Sequence, residues 1–280
     1  MLHKGVRLLA SASLLSFALP SPALAQGYLG ANLRPYAVLA GTTVTCAGAS
    51  VITGDVGVSP GAAIVGFPAP CTDVGTLQTP PASNPGQADL TAAYTTLAGL
   101  PCAAPVGPNL AGLTLTQGVY CVGAAASNLT GTLTLDAQGN PNAVFVFQMS
   151  STLITSPGST VSLINGANAC GVEWQVSSSA TIDVGTTFVG NILALTSIAM
   201  NAGANLTGRA LARNGAVTLN TNTVSFGACG VGGGAGGAPP PFPPVGVPTL
   251  PEILKWALLV VLLGGGFYLV SRRSRAASGQ

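Results

Sequence analysis

The chain has 280 residues, of which 48% are hydrophobic and only 6% are charged, with 38 Gly and 21 Pro. Its formal charge of +2 arises at the two ends, because residues 26–229 hold three basic residues, no lysine and six acidic residues. This body therefore has no surface that could neutralise nucleic-acid phosphates, and its polarity must come from Thr, Ser and Asn.

Residues 1–25 have the pattern of a signal peptide. Lys4 and Arg7 supply the positive charge, an apolar stretch follows, and Ala23-Leu24-Ala25 forms a small-x-small cleavage site. We therefore predict that the mature protein begins near Gln26 and is exported.

An even number of cysteines in an exported protein indicates disulfide bonds. The sequence does not determine their pairing, and we expect neighbours to pair: Cys46 with Cys71, Cys102 with Cys121, and Cys170 with Cys229. A metal site is not expected, because no CxxC occurs and the single histidine, His3, lies in the removed segment.

A degenerate pattern of apolar strands, Thr/Ser/Asn-rich strands and glycine corners recurs through residues 143–226. Its period of roughly 17 to 27 residues, without a helix-length apolar face, predicts a mainly β fold of stacked coils, a β-solenoid. Residues 36–61 resemble one further coil, so we expect the N-terminal and C-terminal parts to stack into one body.

One helix is predicted between these two parts. Asn84 is a candidate N-cap with Pro85 at N1, and Gly99 ends the pattern. Leu90, Ala93, Tyr94 and Leu97 form its apolar stripe. Strands such as residues 143–149 are apolar on both sides, as expected for parallel strands covered on both faces, so we expect the helix to cover them.

Catalytic chemistry finds little support, because residues 26–229 contain neither His nor Lys and no base to activate a serine. Glu173 and Asp183 could flank a sugar as a glycosidase pair, but isolated solvated carboxylates are the favoured interpretation. The oxygens of residues 136–142 could bind calcium, but a turn is favoured. We predict a non-enzymatic protein without cofactor or metal.

The strand after the helix-covered one offers a regular outer surface. Its inward residues would be Val44, Leu153, Ile182, Ile198, Met200, Val217 and Leu219. The residues predicted to face solvent, and chosen as a binding face, are Thr43, Thr45, Thr152, Thr181, Ala199, Asn201, Thr218 and Asn220. Asp183 is also predicted to face solvent on this strand, and Ile154 interrupts or adjoins the series of outward residues. Short, stiff threonines on such a grid could hold water in an ordered arrangement, although Thr is also simply a good strand residue.

Several runs resemble the bacterial and fungal ice-binding-like family: residues 53–61 (TGDVGVSPG), 112–121 (GLTLTQGVYC), 129–148 (LTGTLTLDAQGNPNAVFVFQ), and the repeats near residues 186–198 and 208–224. The resemblance covers about residues 28–227. It implies an irregular three-sided right-handed β-helix with one long α-helix along a face, and ice adsorption through one flat Thr/Ser/Ala-rich face.

The C-terminal part has a different character. Residues 230–248 form a Gly-rich and then Pro-rich linker, and residues 253–270 have the length and hydrophobicity of a transmembrane helix before an Arg cluster. Val247, Pro248, Thr249 and Leu250 resemble the IPTL-type sorting signal of Gram-negative exported proteins, with Val in place of Ile. The resemblance implies that a membrane sorting protease handles residues 249–280.

The sequence thus predicts an ice-binding, antifreeze-type protein that is secreted or anchored at the envelope of a Gram-negative bacterium and is monomeric. It would inhibit ice growth or recrystallisation, or attach the cell to ice. The alternative is an envelope module that binds polysaccharide or another surface without ice activity.

Overall fold

The computed structural model describes residues 27–102 and 104–227, which lie in one compact unit. The predicted signal peptide, the linker, the sorting signal with its membrane helix, and Cys229 lie outside the described residues. Within the described part, no helix is long and apolar enough to cross a membrane.

The first part of the chain forms seven strands and the second part sixteen, separated by a single α-helix in the described residues. The first seven are β1 (Tyr36–Ala40), β2 (Thr43–Ala47), β3 (Val51–Thr53), β4 (Asp55–Val58), β5 (Ala63–Val65), β6 (Thr72–Asp73) and β7 (Leu77–Gln78). Helix α1 (Asn84–Ala98) follows them. The next eight are β8 (Ala104–Val106), β9 (Thr114–Leu115), β10 (Gly118–Val122), β11 (Thr132–Asp136), β12 (Phe145–Met149), β13 (Leu153–Ile154), β14 (Thr160–Ile164) and β15 (Val172–Val176). The last eight are β16 (Ala180–Ile182), β17 (Thr187–Val189), β18 (Asn191–Ala194), β19 (Ile198–Met200), β20 (Asn205–Thr207), β21 (Ala210–Ala212), β22 (Val217–Asn220) and β23 (Thr223–Ser225), with a short 3₁₀ turn at Ala169–Gly171 before β15.

These strands build three sheets. The nine-stranded sheet has the order β7-β4-β1-β21-β18-β15-β12-β10-β8, the eight-stranded sheet β6-β3-β23-β20-β17-β14-β11-β9, and the six-stranded sheet β13-β16-β19-β22-β2-β5. The pairings between strands are parallel, for example β15 with β18 and β19 with β22. Consecutive strands pass from sheet to sheet, so the chain winds into three-sided coils, as predicted.

The coil order in space differs from the order in sequence. Strands β1, β2 and β3 pair with β21, β22 and β23, so the N-terminal coil stacks on the last coil of the chain. The expected union of the two parts into one body is confirmed. Helix α1 then returns along the stack, and β8 begins at its opposite end.

Helix α1 lies on the outer side of the nine-stranded sheet, where it contacts β1, β12, β15 and β18. Leu90, Ala93, Tyr94 and Leu97 are its buried stripe together with Gly86, which confirms the predicted contact face. The apolar outer side of strands such as β12 is explained by this cover.

The predicted N-cap is wrong by one residue, since Ser83 is the N-cap and Asn84 begins the helix. Neither side chain caps the helix, because both bind the neighbouring coil. Ser83 Oγ donates to the carbonyl oxygen of Val58 (2.6 Å), and Asn84 Oδ1 accepts from Ser59 Oγ (2.7 Å). These bonds attach the start of the helix to the end of β4.

Aromatic side chains fill the core at one end of the stack, and smaller aliphatic side chains fill it in the following coils. Tyr120, Phe147 and Trp174 occupy equivalent positions on β10, β12 and β15, with ring centroids 5.6 and 4.0 Å apart, and Phe188 packs on Trp174 at 4.9 Å. Aromatic pairs of this kind contribute about 0.5–1.5 kcal/mol each beyond their burial. The next coils continue the column with aliphatic side chains such as Ile192.

Two disulfides close loops at the two ends of the stack. Cys46 is bonded to Cys71 and Cys102 to Cys121, as expected for neighbouring cysteines. The third expected pairing involves Cys229, which lies outside the described residues.

Glycine is required at the corner that leads into the nine-stranded sheet. Gly54, Gly190 and Gly208 have φ values of 128°, 112° and 155°, which L side chains rarely adopt. A Cβ on Gly208 would lie 1.9 Å from the carbonyl oxygen of Gly190, so consecutive coils touch backbone to backbone here.

We expect Gly208→Ala to destabilise the domain by several kcal/mol, because it combines backbone strain with a steric conflict against a neighbouring coil. The matched control is Gly203→Ala, where φ is 70° and no atom lies within 4 Å of the new Cβ. That variant should lose only about 1–2 kcal/mol. Denaturant unfolding of both variants measures the difference, and equal losses would contradict the close packing of the coils at Gly208.

Candidate functional site

The outer surface of the six-stranded sheet, which we call the six-stranded face, carries a column of side chains in register. Successive β-bridges align its members across all six strands: Ile154, Thr181, Ala199, Thr218, Thr45 and Val65. Adjacent members are about 4.7–4.9 Å apart, the spacing of neighbouring strands. Four of the predicted face residues therefore form the centre of one column.

The other predicted residues flank this column. Thr43 pairs with Ala63 and Asn220 with Ala47 on the same face. Thr152 and Asn201 lie immediately outside the ends of β13 and β19. All eight predicted residues are exposed or half-exposed, whereas the predicted inward residues are buried: Val44, Leu153, Ile182, Ile198, Met200, Val217 and Leu219.

The threonine hydroxyls of the column are available to water. No hydrogen bond joins the hydroxyl of Thr45, Thr181 or Thr218 to any other residue that the structure describes. Each threonine thus presents a methyl group and a free hydroxyl, and its backbone ladder fixes both at a regular interval.

The face carries one ionisable group, Asp183, at its edge. Hydrogen bonds from Asn201 Nδ2 (2.8 Å) and from the backbone N–H of Val184 (2.8 Å) lower the pKa of this carboxyl. Asp183 therefore stays ionised and tied to the corner. The remainder of the face is uncharged.

Two apolar residues end the column. Ile154 is half-exposed at one end, and Val65 is 53% exposed at the other. The alternation in the sequence indicated Ile154 but not Val65, because β5 has only three residues and follows a short turn at residues 59–62. Its partner Thr45 is the only signal that could have placed it there.

The two carboxylates considered as a catalytic pair are not brought together. Glu173 lies on the nine-stranded sheet and Asp183 beside the six-stranded sheet, each hydrogen-bonded to its own asparagine. Asp136 accepts from Gln138 N and Asn165 Nδ2 within a turn that has positive φ at Gln138. Across residues 27–102 and 104–227, no group of three His, Cys, Asp or Glu side chains could hold a metal ion.

Glu173 instead belongs to a buried polar ladder. Asn191 donates to Glu173 Oε1 (3.1 Å) and accepts from Arg209 Nη1 (3.1 Å), and Arg209 also donates to the carbonyl oxygen of Arg34 (2.9 Å) and stacks on Phe226. Burial raises the pKa of Glu173 to about 8 and lowers that of Arg209 to about 10. Arg209 is therefore charged and Glu173 protonated at neutral pH. The expectation of a solvated carboxylate is wrong for Glu173, which is buried under the neighbouring polar groups.

An open cavity of about 580 Å³ lies where the end of α1 meets strands β8, β10, β12 and β15. Tyr94, Val106, Cys121, Gln148 and Gln175 are among its lining residues. Gln148 spans part of it by donating to the carbonyl oxygens of Leu97 and Leu100 (both 2.8 Å), which satisfies the C-terminal turn of the helix. Its lining holds no His, Asp or Glu and therefore no catalytic acid, and its one aromatic side chain, Tyr94, is buried.

Comparison with known proteins assigns a family to this architecture. Residues 38–225 match the Ice-binding-like family. The chain is 48% identical over 221 residues to an ice-binding protein of Nostoc sp. (strain HG1), covering 78% of this chain and 81% of that protein. It is 34% identical to an ice-binding protein of Flavobacterium frigoris (strain PS1), covering 68% of this chain and 73% of that one.

Solved structures agree with the fold. An ice-binding protein from the Antarctic ascomycete Antarctomyces psychrotrophicus superposes with a TM-score of 0.67 at 37% identity, covering 70% of this chain and 97% of that one. An ice-binding protein from an Antarctic biological consortium gives 0.66 at 41% identity, covering 79% and 96%.

The buried ladder generates a pH prediction. Between the ordinary pKa of 4.5 and the folded value of about 8, the folded protein keeps a proton on Glu173 that the unfolded chain releases. The free energy of unfolding should therefore fall as pH rises through this window, by on the order of 1 kcal/mol per pH unit. Gln cannot titrate, so Glu173→Gln should gain stability relative to the parent from pH 5 to pH 8.

Urea unfolding of both proteins at several pH values in that window measures the effect. Gln keeps the oxygen that accepts from Asn191, so the ladder itself is retained. A difference in stability that does not change with pH would contradict the assignment of a protonated Glu173.

Proposed function

We propose that this chain, which belongs to the Ice-binding-like family, binds ice through the outer face of its six-stranded sheet. Adsorbed molecules would inhibit the growth or recrystallisation of ice, or hold the cell at an ice surface. The observation that carries the proposal is the in-register column of Ile154, Thr181, Ala199, Thr218, Thr45 and Val65, with three free threonine hydroxyls.

The chemistry of this face suits a crystalline partner made only of water. A regular backbone ladder sets the distances between hydroxyls before binding, so little side-chain entropy is lost on contact. The methyl groups of the threonines and the small Ala199 leave room for water to order between the hydroxyls. Because the face is nearly uncharged, it does not hold the strongly bound, disordered hydration of lysine or carboxylate side chains.

The alternative, an envelope module that binds polysaccharide, has less support. Sugar sites commonly use aromatic side chains as platforms, and the six-stranded face has none among its described strands. The relatives in the comparison are named ice-binding proteins. Both facts favour ice over a glycan as the partner.

The coils of the body would be right-handed, as the family resemblance implies.

The protein would be displayed outside the cell. Residues 1–25 would direct export, and the linker of residues 230–248 would act as a stalk. Residues 249–280 would anchor the chain temporarily or permanently in the envelope of a Gram-negative cell, where a sorting protease would process it. The body would act as a monomer.

Thr218→Tyr and Thr181→Tyr should clearly lower the ice activity of purified residues 26–229. The bulky ring would hold the face away from the ice and break the column at its centre. Thermal hysteresis and recrystallisation inhibition are the measurements, and thermal unfolding should show less than about 0.5 kcal/mol change for these surface positions.

Thr96→Tyr is the matched control, because Thr96 is exposed on helix α1 and far from the column in the fold. It should keep full activity. An inactive parent would remove the ice proposal, whereas full activity in both Thr218→Tyr and Thr181→Tyr would remove only the choice of face.

The sorting proposal predicts a processing defect. In a Gram-negative host that carries the sorting protease, replacing Val247, Pro248, Thr249 and Leu250 with alanine should leave the full-length chain in the membrane fraction. The parent should yield a shorter product, detected by an antibody against the body. Identical product lengths and fractions for both proteins would contradict the role of this motif.

A further inference from the structure

The eight-stranded sheet carries a second column that is longer than the first. Its outer side, the eight-stranded face, aligns seven residues in one unbroken series of β-bridges: Thr132, Thr160, Thr187, Asn205, Thr223, Val51 and Thr72. A parallel second column contains Thr114, Thr134 and Ser162 at one end and Thr207, Ser225 and Thr53 at the other. The two columns are about 6.6–6.8 Å apart, two residues along each strand.

The hydroxyls of this face are as available as those of the six-stranded face. No hydrogen bond joins the hydroxyl of Thr132, Thr160, Thr187 or Thr223 to any residue that the structure describes. These four residues are exposed or half-exposed. The strands of this sheet present no Lys, Arg or aromatic side chain to solvent, and their two carboxylates, Asp73 and Asp136, each stand at the end of a strand.

A stacked corner holds the two faces at a constant angle. The residue that turns the chain from the six-stranded to the eight-stranded sheet is left-handed in five successive coils: Gly158, Gly185, Gly203, Thr221 and Gly48, with φ between 55° and 72°. Backbone hydrogen bonds of 2.9–3.1 Å link each corner to the next, such as Gly203 N to the carbonyl oxygen of Thr221. Both columns are therefore parts of one rigid lattice.

Thr221 is the exception among these corners. A β-branched residue at a φ of 55° is strained, and the four neighbouring coils use glycine. Its side chain is exposed, and on this coil Thr218, Asn220, Thr221 and Thr223 are all exposed in succession. The coil thus carries polar side chains without interruption from one face, around the corner, to the other.

We propose that the ice-binding surface continues around this corner onto the eight-stranded face, so that the molecule adsorbs through two adjoining planes. This inference rests on the proposed ice-binding function. Ice is the occupant that fits, because the second face is continuous with the first, repeats its spacing and hydroxyl chemistry, and lacks the cationic or aromatic groups that a nucleic acid or glycan would need.

The experiment compares two substitutions on the same coil. Fluorescently labelled residues 26–229 are adsorbed to a single ice crystal as the parent protein, as Thr218→Tyr and as Thr223→Tyr, with Thr96→Tyr as control. The labelled zones on the crystal show which ice planes each protein binds. The parent and the control should label two sets of planes, and each face variant should lose one set while retaining the other.

Thr187→Tyr is a second variant on the eight-stranded face and should reproduce the pattern of Thr223→Tyr. Unchanged labelling by both variants would overturn the second face, while loss of labelling by Thr218→Tyr would still support the first. No labelling by the parent would remove the ice-binding function itself. Unfolding curves that match the parent show that each variant is folded.

Discussion

The structure depends on the in-register hydrogen bonding of parallel strands from one coil to the next. Each ladder fixes equivalent residues at one spacing, so any outward residue type that recurs per coil becomes a column on the surface. Thr181, Ala199, Thr218 and Thr45 lie far apart in sequence and yet form one column, because Thr45 pairs directly with Thr218. A functional surface can therefore arise without a cleft, a cofactor or a charged cluster.

The same constraint determines what covers the core. Parallel strands with apolar residues on both sides need a second cover, and helix α1 supplies it on the nine-stranded sheet. The two remaining sheets keep one side in water, which leaves hydroxyl-bearing faces free for binding. Bonds from Ser83 and Asn84 to the end of β4 hold the helix in place, and the ladder of Glu173, Asn191 and Arg209 fills polar space on the same sheet. The helix and the buried polar ladder thus lie on one sheet, and the hydroxyl-bearing faces lie on the other two.

Much of the fold and of the six-stranded face was predictable from the sequence, because period-two alternation and glycine corners are local signals. They indicated the inward set, the covered sheet and the union of the first coil with the last. Other features depend on long-range placement and have no local signal. Val65 joins the column only through its pairing with Thr45, and Glu173 is buried only because of what packs over it. The N-cap was misplaced because Asn84 binds Ser59 instead of the helix backbone. The alternation of polar and apolar residues within each strand of the eight-stranded sheet can be read from the sequence. The register between strands, which aligns these residues into a column, cannot.

If the regular hydroxyl lattice adsorbs to ice, the protein should be incorporated into a slowly growing ice crystal. Labelled residues 26–229 are frozen onto a cooled probe beside an ordinary soluble protein of similar size. We expect this protein to concentrate in the ice while the reference protein stays in the liquid. Exclusion of both proteins from the ice to the same extent would contradict it.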